Sequence, residues 1–359
     1  MVKRAKIVKI SDKNVEEKAK AVLQEFLAKV PFIKVLSVQK DLRFGQIQVD
    51  LFVQVQVDTE EKCLMVEVKS NGQPRYAREA VNQLLRFRDL NPQCYCVFMA
   101  PYISPRAAEI CVEGDIGYMD LAGNCFLSFE KVYIEKTGQP NPYSEKKELR
   151  SLYSPKASRI LRALLENPRE KWKVEDMALE TNVSLGQVSK VKSLLANQEW
   201  IKEAYGGFGL IEPDQLLKEW SESYSYKKNK IFRYYSMDSI PDIEWGLSQA
   251  CTNSGRQYTL TSFSGAARLK PFVKYQRVFA FVQGDIPVLA ASLNIKEVDS
   301  GENIILLEPY DEGVFYGSRD IEGISIASPI QIYLDLKGYR GRGEEAAEAI
   351  LEWIIKNRW

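Results

Sequence analysis

Apolar side chains recur along the first part of the chain with two different periods. Over 13–29 they fall at Val15, Ala19, Val22, Phe26 and Leu27, the spacing of a helix, and Pro31 ends it. Over 46–57 they alternate strictly, with Val49, Leu51, Val53, Val55 and Val57 on one face of a predicted strand. Residues 64–69 alternate as well, and the polar run 58–62 predicts a turn joining two paired strands. The pattern then predicts a helix over 75–89, a strand over 94–99 and a short helix over 105–112. Strands over 118–121 and 125–129 flank the compact turn Ala122-Gly123-Asn124. Strands and helices mixed in this order predict an α/β domain over 1–138.

Residues 139–153 are polar and carry Pro140 and Pro142, the composition of a linker. The next stretch, 154–222, reads as helical. Ile160, Leu161, Leu164 and Leu165 form the apolar side of a first helix, stopped at Asn167-Pro168. A second short helix covers 174–181, and Asn182-Val183 makes a turn. Ser184 then caps a third helix over 185–197 whose core side is Val188, Val191, Leu194 and Leu195. Two short strand patterns, 200–202 and 208–211, bracket Tyr205-Gly206-Gly207. Three short helices and a hairpin predict a winged helix-turn-helix over 154–222. Beyond it, 223–359 returns to alternating strands and helices, including strands at 278–282 and 304–307 and a closing helix over 344–356. The predicted fold class is therefore a multidomain α/β chain with a C-terminal α/β domain.

Composition narrows the chemistry. The formal net charge of +1 carries no whole-chain signal for nucleic acid, so any such surface must be local. The chain has no histidine, which excludes imidazole-based triads and imidazole-ligated zinc. Six cysteines sit at 63, 94, 96, 111, 125 and 251 without zinc-knuckle spacing, and they read as reduced, buried thiols. Lys3, Arg4, Lys6 and Lys9 make the N-terminus basic, but no apolar core of a signal peptide follows. No apolar run approaches membrane-spanning length, so the expected location is cytoplasmic.

Two constellations carry chemistry. Asp50 leaves the first strand on the face opposite its aliphatic stripe, and Glu67 and Lys69 share one face of the second. If the strands pair, two carboxylates and an ammonium converge. That set would hold Mg²⁺ or Mn²⁺ through oxygen ligands and support phosphodiester hydrolysis. Val49-Asp50 and Glu67-Val68-Lys69 resemble the PD-(D/E)XK nuclease superfamily, with valine in place of the usual proline. Gln83, on the following helix, stands where RecB-like members carry an active-site glutamine. The resemblance implies a restriction-endonuclease-like domain with Asp50, Glu67, Lys69 and Gln83 as its catalytic set. Glu25 on the first helix, or Glu16, is expected to add a metal ligand. Arg75, Arg78 and Arg86 lie near one face of the glutamine helix and are expected to meet phosphates. In the second constellation Ser184, Gln187, Ser189, Lys190 and Lys192 form the outward side of the third helix, suited to a DNA major groove. The competing readings are a half-exposed hairpin with incidental charges and a winged helix used for dimerisation.

The third region carries Ser264-Gly265-Ala266-Ala267-Arg268, a Ser328–Leu336 stretch with Gln331, Tyr333 and Asp335, and Gly338–Ala347. These segments resemble the AbiEi-family antitoxins and transcriptional regulators of type IV toxin–antitoxin systems. The resemblance implies a DNA-binding regulator whose C-terminal domain has the antitoxin role. Two functions stay open: a Mg²⁺-dependent deoxyribonuclease guided by the winged helix, and a non-catalytic antitoxin or regulator. The expected partners are double-stranded DNA and a cognate nucleotidyltransferase-like toxin. The reading leaves room for a homodimer and calls for no membrane.

Overall fold

The structure is a computed structural model that describes residues 12–44, 47–143, 152–270, 275–339 and 341–359. The basic N-terminal residues, Gln46 and most of the expected linker lie outside the described residues. The chain divides into two compact units, Met1–Glu148 with Ala196–Glu199, and Leu149–Leu195 with Trp200–Trp359.

The first unit is a seven-stranded sheet with helices on both faces. Helix α1 (Asp12–Ala28) leads into strands β1 (Ile33–Phe44), β2 (Ile47–Val57) and β3 (Glu60–Val68). Then come α2 (Pro74–Leu90), β4 (Cys94–Ala100), α3 (Pro105–Glu113), β5 (Gly117–Asp120), β6 (Cys125–Phe129) and β7 (Val132–Lys136). The strands lie side by side in chain order, and β3, β4 and β5 run parallel while the other pairs are antiparallel. The parallel pairs need crossovers, which α2 and α3 supply.

Val15, Ala19, Leu23 and Leu27 of α1 pack on Leu51, Val53, Leu64 and Val66 at one face of the sheet. Ala77, Ala80, Leu84 and Phe87 of α2 pack on Met65, Cys96 and Phe98 at the other. Central β3 is therefore buried on both sides from Leu64 to Val68. Strands β1 and β7 were not anticipated. Polar residues interrupt the apolar alternation of β1, and a register shift between Val35 and Ser37 breaks its period.

The cysteine reading needs correction. Cys63 and Cys94 are joined in a disulfide, and they are register partners on the neighbouring strands β3 and β4. Sequence spacing gave no warning, because the parallel register alone sets them side by side. Cys96, Cys111, Cys125 and Cys251 are free and buried.

The second unit begins with α4 (Pro155–Glu166), α5 (Val174–Thr181) and α6 (Leu185–Asn197), followed by the ribbon β8 (Ile201–Ala204) and β9 (Gly207–Leu210). Asn182 in the left-handed region ends α5 and turns the chain into α6. Helix α7 (Pro213–Ser223) leads to β10 (Lys230–Tyr235), α8 (Ile240–Asn253), β11 (Tyr258–Leu260), α9 (Ser262–Leu269) and β12 (Val278–Val282). The chain closes with α10 (Ile286–Ser292), β13 (Lys296–Glu297), β14 (Ile304–Glu308), β15 (Arg319–Ile321), β16 (Ile324–Ile326), α11 (Pro329–Lys337) and α12 (Arg342–Asn357). These strands form a mixed sheet in the order β13-β10-β14-β12-β11-β16-β15. Helix α11 is buried from Pro329 to Leu336, as a helix must be when other elements surround it.

Candidate functional site

Strands β2 and β3 pair as far as Leu51 opposite Val66. Leu51 packs on the α1 side of the sheet but Val49 packs on the α2 side with Met65, so the strict alternation expected from Val49 onward breaks at Asp50. The paired register stops there, and the Asp50 carboxylate accepts the backbone N–H of Val68 at 2.6 Å. Glu67 is 2% exposed, enclosed between the sheet and α2. Its two oxygens have separate donors: Lys69 Nζ reaches Oε1 at 2.5 Å, and Gln83 Nε2 reaches Oε2 at 2.8 Å. Asp50, Glu67, Lys69 and Gln83 thus meet at one end of β3.

Electrostatics makes the pair of acids costly. Burial and then the neighbouring Asp50 carboxylate push the Glu67 carboxyl up to about 7, against the pull of Lys69 and Gln83. Burial also raises Asp50, although the Val68 N–H and Lys69 oppose it. Two partly dehydrated carboxylates near enough to repel each other form a hard-oxygen donor pair. Among the described residues no group of three or more His, Cys, Asp or Glu side chains is gathered for a metal. Two carboxylates nevertheless suit Mg²⁺, which keeps several waters and shares its coordination with substrate phosphate.

The structure corrects the expectation for α1. Glu25 is exposed and ion-paired to Lys29 one turn on, at 2.7 Å. Glu16, nine residues earlier and so roughly 13 Å along the helix, instead lines a cavity of about 170 Å³ with Val15, Val68, Lys69 and Ser70. Backbone packing fixes the start of α2 beside this site. A Cβ on Gly72 would stand 2.0 Å from the Tyr102 carbonyl oxygen, so only glycine lets the two segments approach. Arg75, Arg78 and Arg86 are exposed on α2, and Arg75 pairs with Glu79.

On α6, Val188, Val191 and Leu195 face inward. Ser184, Ser189 and Lys190 are exposed, Gln187 is half-buried, and the Ser184 hydroxyl oxygen accepts the Gln187 N–H at 3.3 Å. Lys192 does not share that outward face. Its Nζ pairs with Glu203 of β8 at 2.6 Å and lies 5.8 Å from the Phe208 ring centroid. Lys192 sits about 160° around the helix from Lys190 but only about 60° from Ser189, so it is the ion pair with Glu203 that draws its ammonium away from that face toward β8.

The family comparison bears on a different part of the chain. Residues 209–356 match a family model described as "Transcriptional regulator, AbiEi antitoxin, Type IV TA system". The matched stretch lies within the second unit. It starts in β9 and ends in α12, so it contains Gln331, Tyr333 and Asp335 but not Asp50 or Glu67. The comparison with curated proteins found no match. Among solved structures, the chain is similar to "Structure of EndoMS-dsDNA2 complex" at 13% identity and TM-score 0.25, covering 33% of this chain and 48% of that one. A "repair endonuclease from Pyrococcus abyssi" matches at 11% identity and TM-score 0.25, over 33% of this chain and 49% of that one. "Pyrococcus Furiosus SfsA in complex with Ca2+" matches at 18% and 0.20, over 35% and 64%. The chain spans about half the length of the endonuclease structures it matches. At these scores neither fold nor chemistry transfers. Among the described residues no helix is long and apolar enough to cross a membrane.

Proposed function

We propose that this protein is a DNA-binding regulator of the antitoxin type whose first unit carries a Mg²⁺-dependent phosphodiester-cleaving site. The observation that supports cleavage is the convergence of Asp50, Glu67, Lys69 and Gln83, with Glu67 pushed up to about 7 by burial and by Asp50. A divalent cation held by Asp50 and Glu67 would supply Lewis-acid polarisation of the phosphate and a more acidic water. Gln83 fixes the orientation of the Glu67 carboxylate. Lys69, when released toward substrate, would balance charge developing on the phosphate. A sheet with parallel β3, β4 and β5 between α1 and α2 supports the PD-(D/E)XK reading. Helices α4–α6 with the β8–β9 ribbon support a winged helix-turn-helix, in which Ser189 and Lys190 of α6 would meet DNA.

The test is nicking of supercoiled and linear duplex, and of RNA, with Mg²⁺, with Mn²⁺ and with chelator. Metal-dependent cleavage should vanish in Asp50→Asn, Glu67→Gln and Lys69→Ala while duplex binding persists. Cleavage that all three variants retain would refute the site.

A non-catalytic regulator is the second reading, favoured by the antitoxin-family match and by the direct Lys69–Glu67 ion pair. On either reading, the second unit would bind a cognate nucleotidyltransferase-like toxin. Purified toxin that fails to associate with the full chain would remove that partner.

A further inference from the structure

Helix α4 is buried around its whole circumference, from Ala157 through Glu166 with only Arg159 partly open, although it carries three charged side chains there. Arg159, Arg162 and Glu166 follow one another at steps of three and four, so they form one stripe. The opposite side of α4, with Ile160, Leu161, Leu164 and Leu165, is apolar, and the helix contacts α5 and β9. The charged stripe points at the sheet region of the same unit. Arg159 holds Asp311 at 2.7 Å and Glu312 at 2.8 Å. Glu166 accepts from Arg319 at 3.3 Å and Arg358 at 2.8 Å.

Arg162, at the centre of the stripe, is 2% exposed and sits over the Trp220 ring, 4.9 Å from its centroid. One arm of its guanidinium donates to Ser158, and the other donates to Gln331 Oε1 at 2.5 Å. Gln331 passes the contact on, donating to Tyr224 at 2.8 Å and to Asp335 at 3.0 Å. Asp335 also accepts from the Tyr224 hydroxyl at 2.6 Å and the Thr261 hydroxyl at 2.5 Å. Gln331 and Asp335 lie one turn apart on α11, and both are wholly enclosed. A buried cation in such a network is costly unless each partner stays in place, so the geometry admits few alternatives. A further tie reaches the next helix, where the Tyr316 hydroxyl donates to Glu180 of α5 at 2.7 Å.

We infer that the Arg162–Gln331–Asp335 bridge positions the α5–α6 helix pair, so that the family-matched region sets how the DNA-reading surface is presented. Arg162, Gln331 and Asp335 are positioning residues. They touch no DNA and act through α4. The Gln and Asp of the Ser328–Leu336 motif accordingly form an internal latch, not an open ligand site. The inference rests on the proposed reading of α4–β9 as the DNA-binding module.

The test uses the full-length protein with Gln331→Leu, Arg162→Met and, as conservative control, Arg162→Lys, which keeps a cation able to donate to Gln331. Two quantities are read: amide hydrogen exchange over 174–197, and affinity for a random-sequence duplex across a salt series. In Gln331→Leu and Arg162→Met, exchange over 174–197 should accelerate at least tenfold. Duplex affinity should fall at least tenfold while the salt slope stays the same, because no phosphate contact is removed. Arg162→Lys should recover most of both. Unchanged exchange over 174–197 in both disruptive variants would overturn the latch. Faster exchange with undiminished duplex affinity would uphold the latch and overturn the DNA-binding assignment of α6. If Gln331→Leu does not fold, Arg162→Met and Arg162→Lys carry the same comparison.

Discussion

Glu67 shows what a single side chain can report. Its carboxyl is raised from the ordinary 4.5 to about 7, so the folded protein favours the protonated form. Its contribution to stability is then complete below about pH 4.5 and lost as pH rises through about 7. Thermal melting without metal should therefore move in favour of Glu67→Gln, relative to the parent, between pH 5 and 8. Mg²⁺ should reverse that trend, since a cation removes the cost of the ionised pair. A parallel pH response of variant and parent would mean that Glu67 titrates normally. The two lysines of α6 separate just as sharply. Lys190→Ala should lower the salt slope of duplex binding by about one unit. Lys192→Ala should leave that slope alone and lower the melting temperature, because Glu203 and Phe208 lose their cation. Equal salt slopes for both variants and the parent would remove Lys190 from the interface.

At the scale of elements, alternation and helical spacing were reliable where one face of an element is apolar. The β2 stripe from Leu51 to Val57, most of the inward side of α6 and the short turn between β5 and β6 were legible, whereas Val49 packs on the other side of the sheet. Strand β1 was not, because its polar residues and register shift hide the period. The β8–β9 ribbon adds a condition that no propensity expresses. Gly207 has φ +145°, and a Cβ there would stand 2.3 Å from the Trp172 carbonyl oxygen. The backbones of Trp172 and Phe208 exchange hydrogen bonds at 2.8 and 2.9 Å beside it. Gly207→Ala should therefore cost more than the roughly 1 kcal/mol typical of a glycine replaced in an unfavourable conformation. Gly206→Ala, which meets no atom within 4 Å, should cost less. Chemical denaturation of the two variants would check the order, and a reversed order would contradict the ribbon's packing.

For the whole molecule, thiol chemistry offers a direct check. Titration of the denatured, unreduced chain should find four reactive thiols, with two more after reduction, since Cys63 and Cys94 are joined. Six thiols without reductant would restore the reading made from sequence. A fragment of 223–359 should not fold alone, because removing α4 leaves Gln331, Asp311, Arg319 and Arg358 without their partners. A cooperative melting transition in that fragment would show that α4 is dispensable. By itself the sequence determined most of the strands and helices that have one apolar face, and that Glu67 leaves β3 opposite its aliphatic stripe. These properties repeat every two or three to four residues, so a short window contains them. Only the tertiary structure decided that Glu16 and not Glu25 lies by Lys69, that Lys192 turns to the β8–β9 ribbon, that Cys63 meets Cys94, and that Arg162 is held by Gln331. Each of these depends on register or packing between segments distant along the chain, and that information has no period to read.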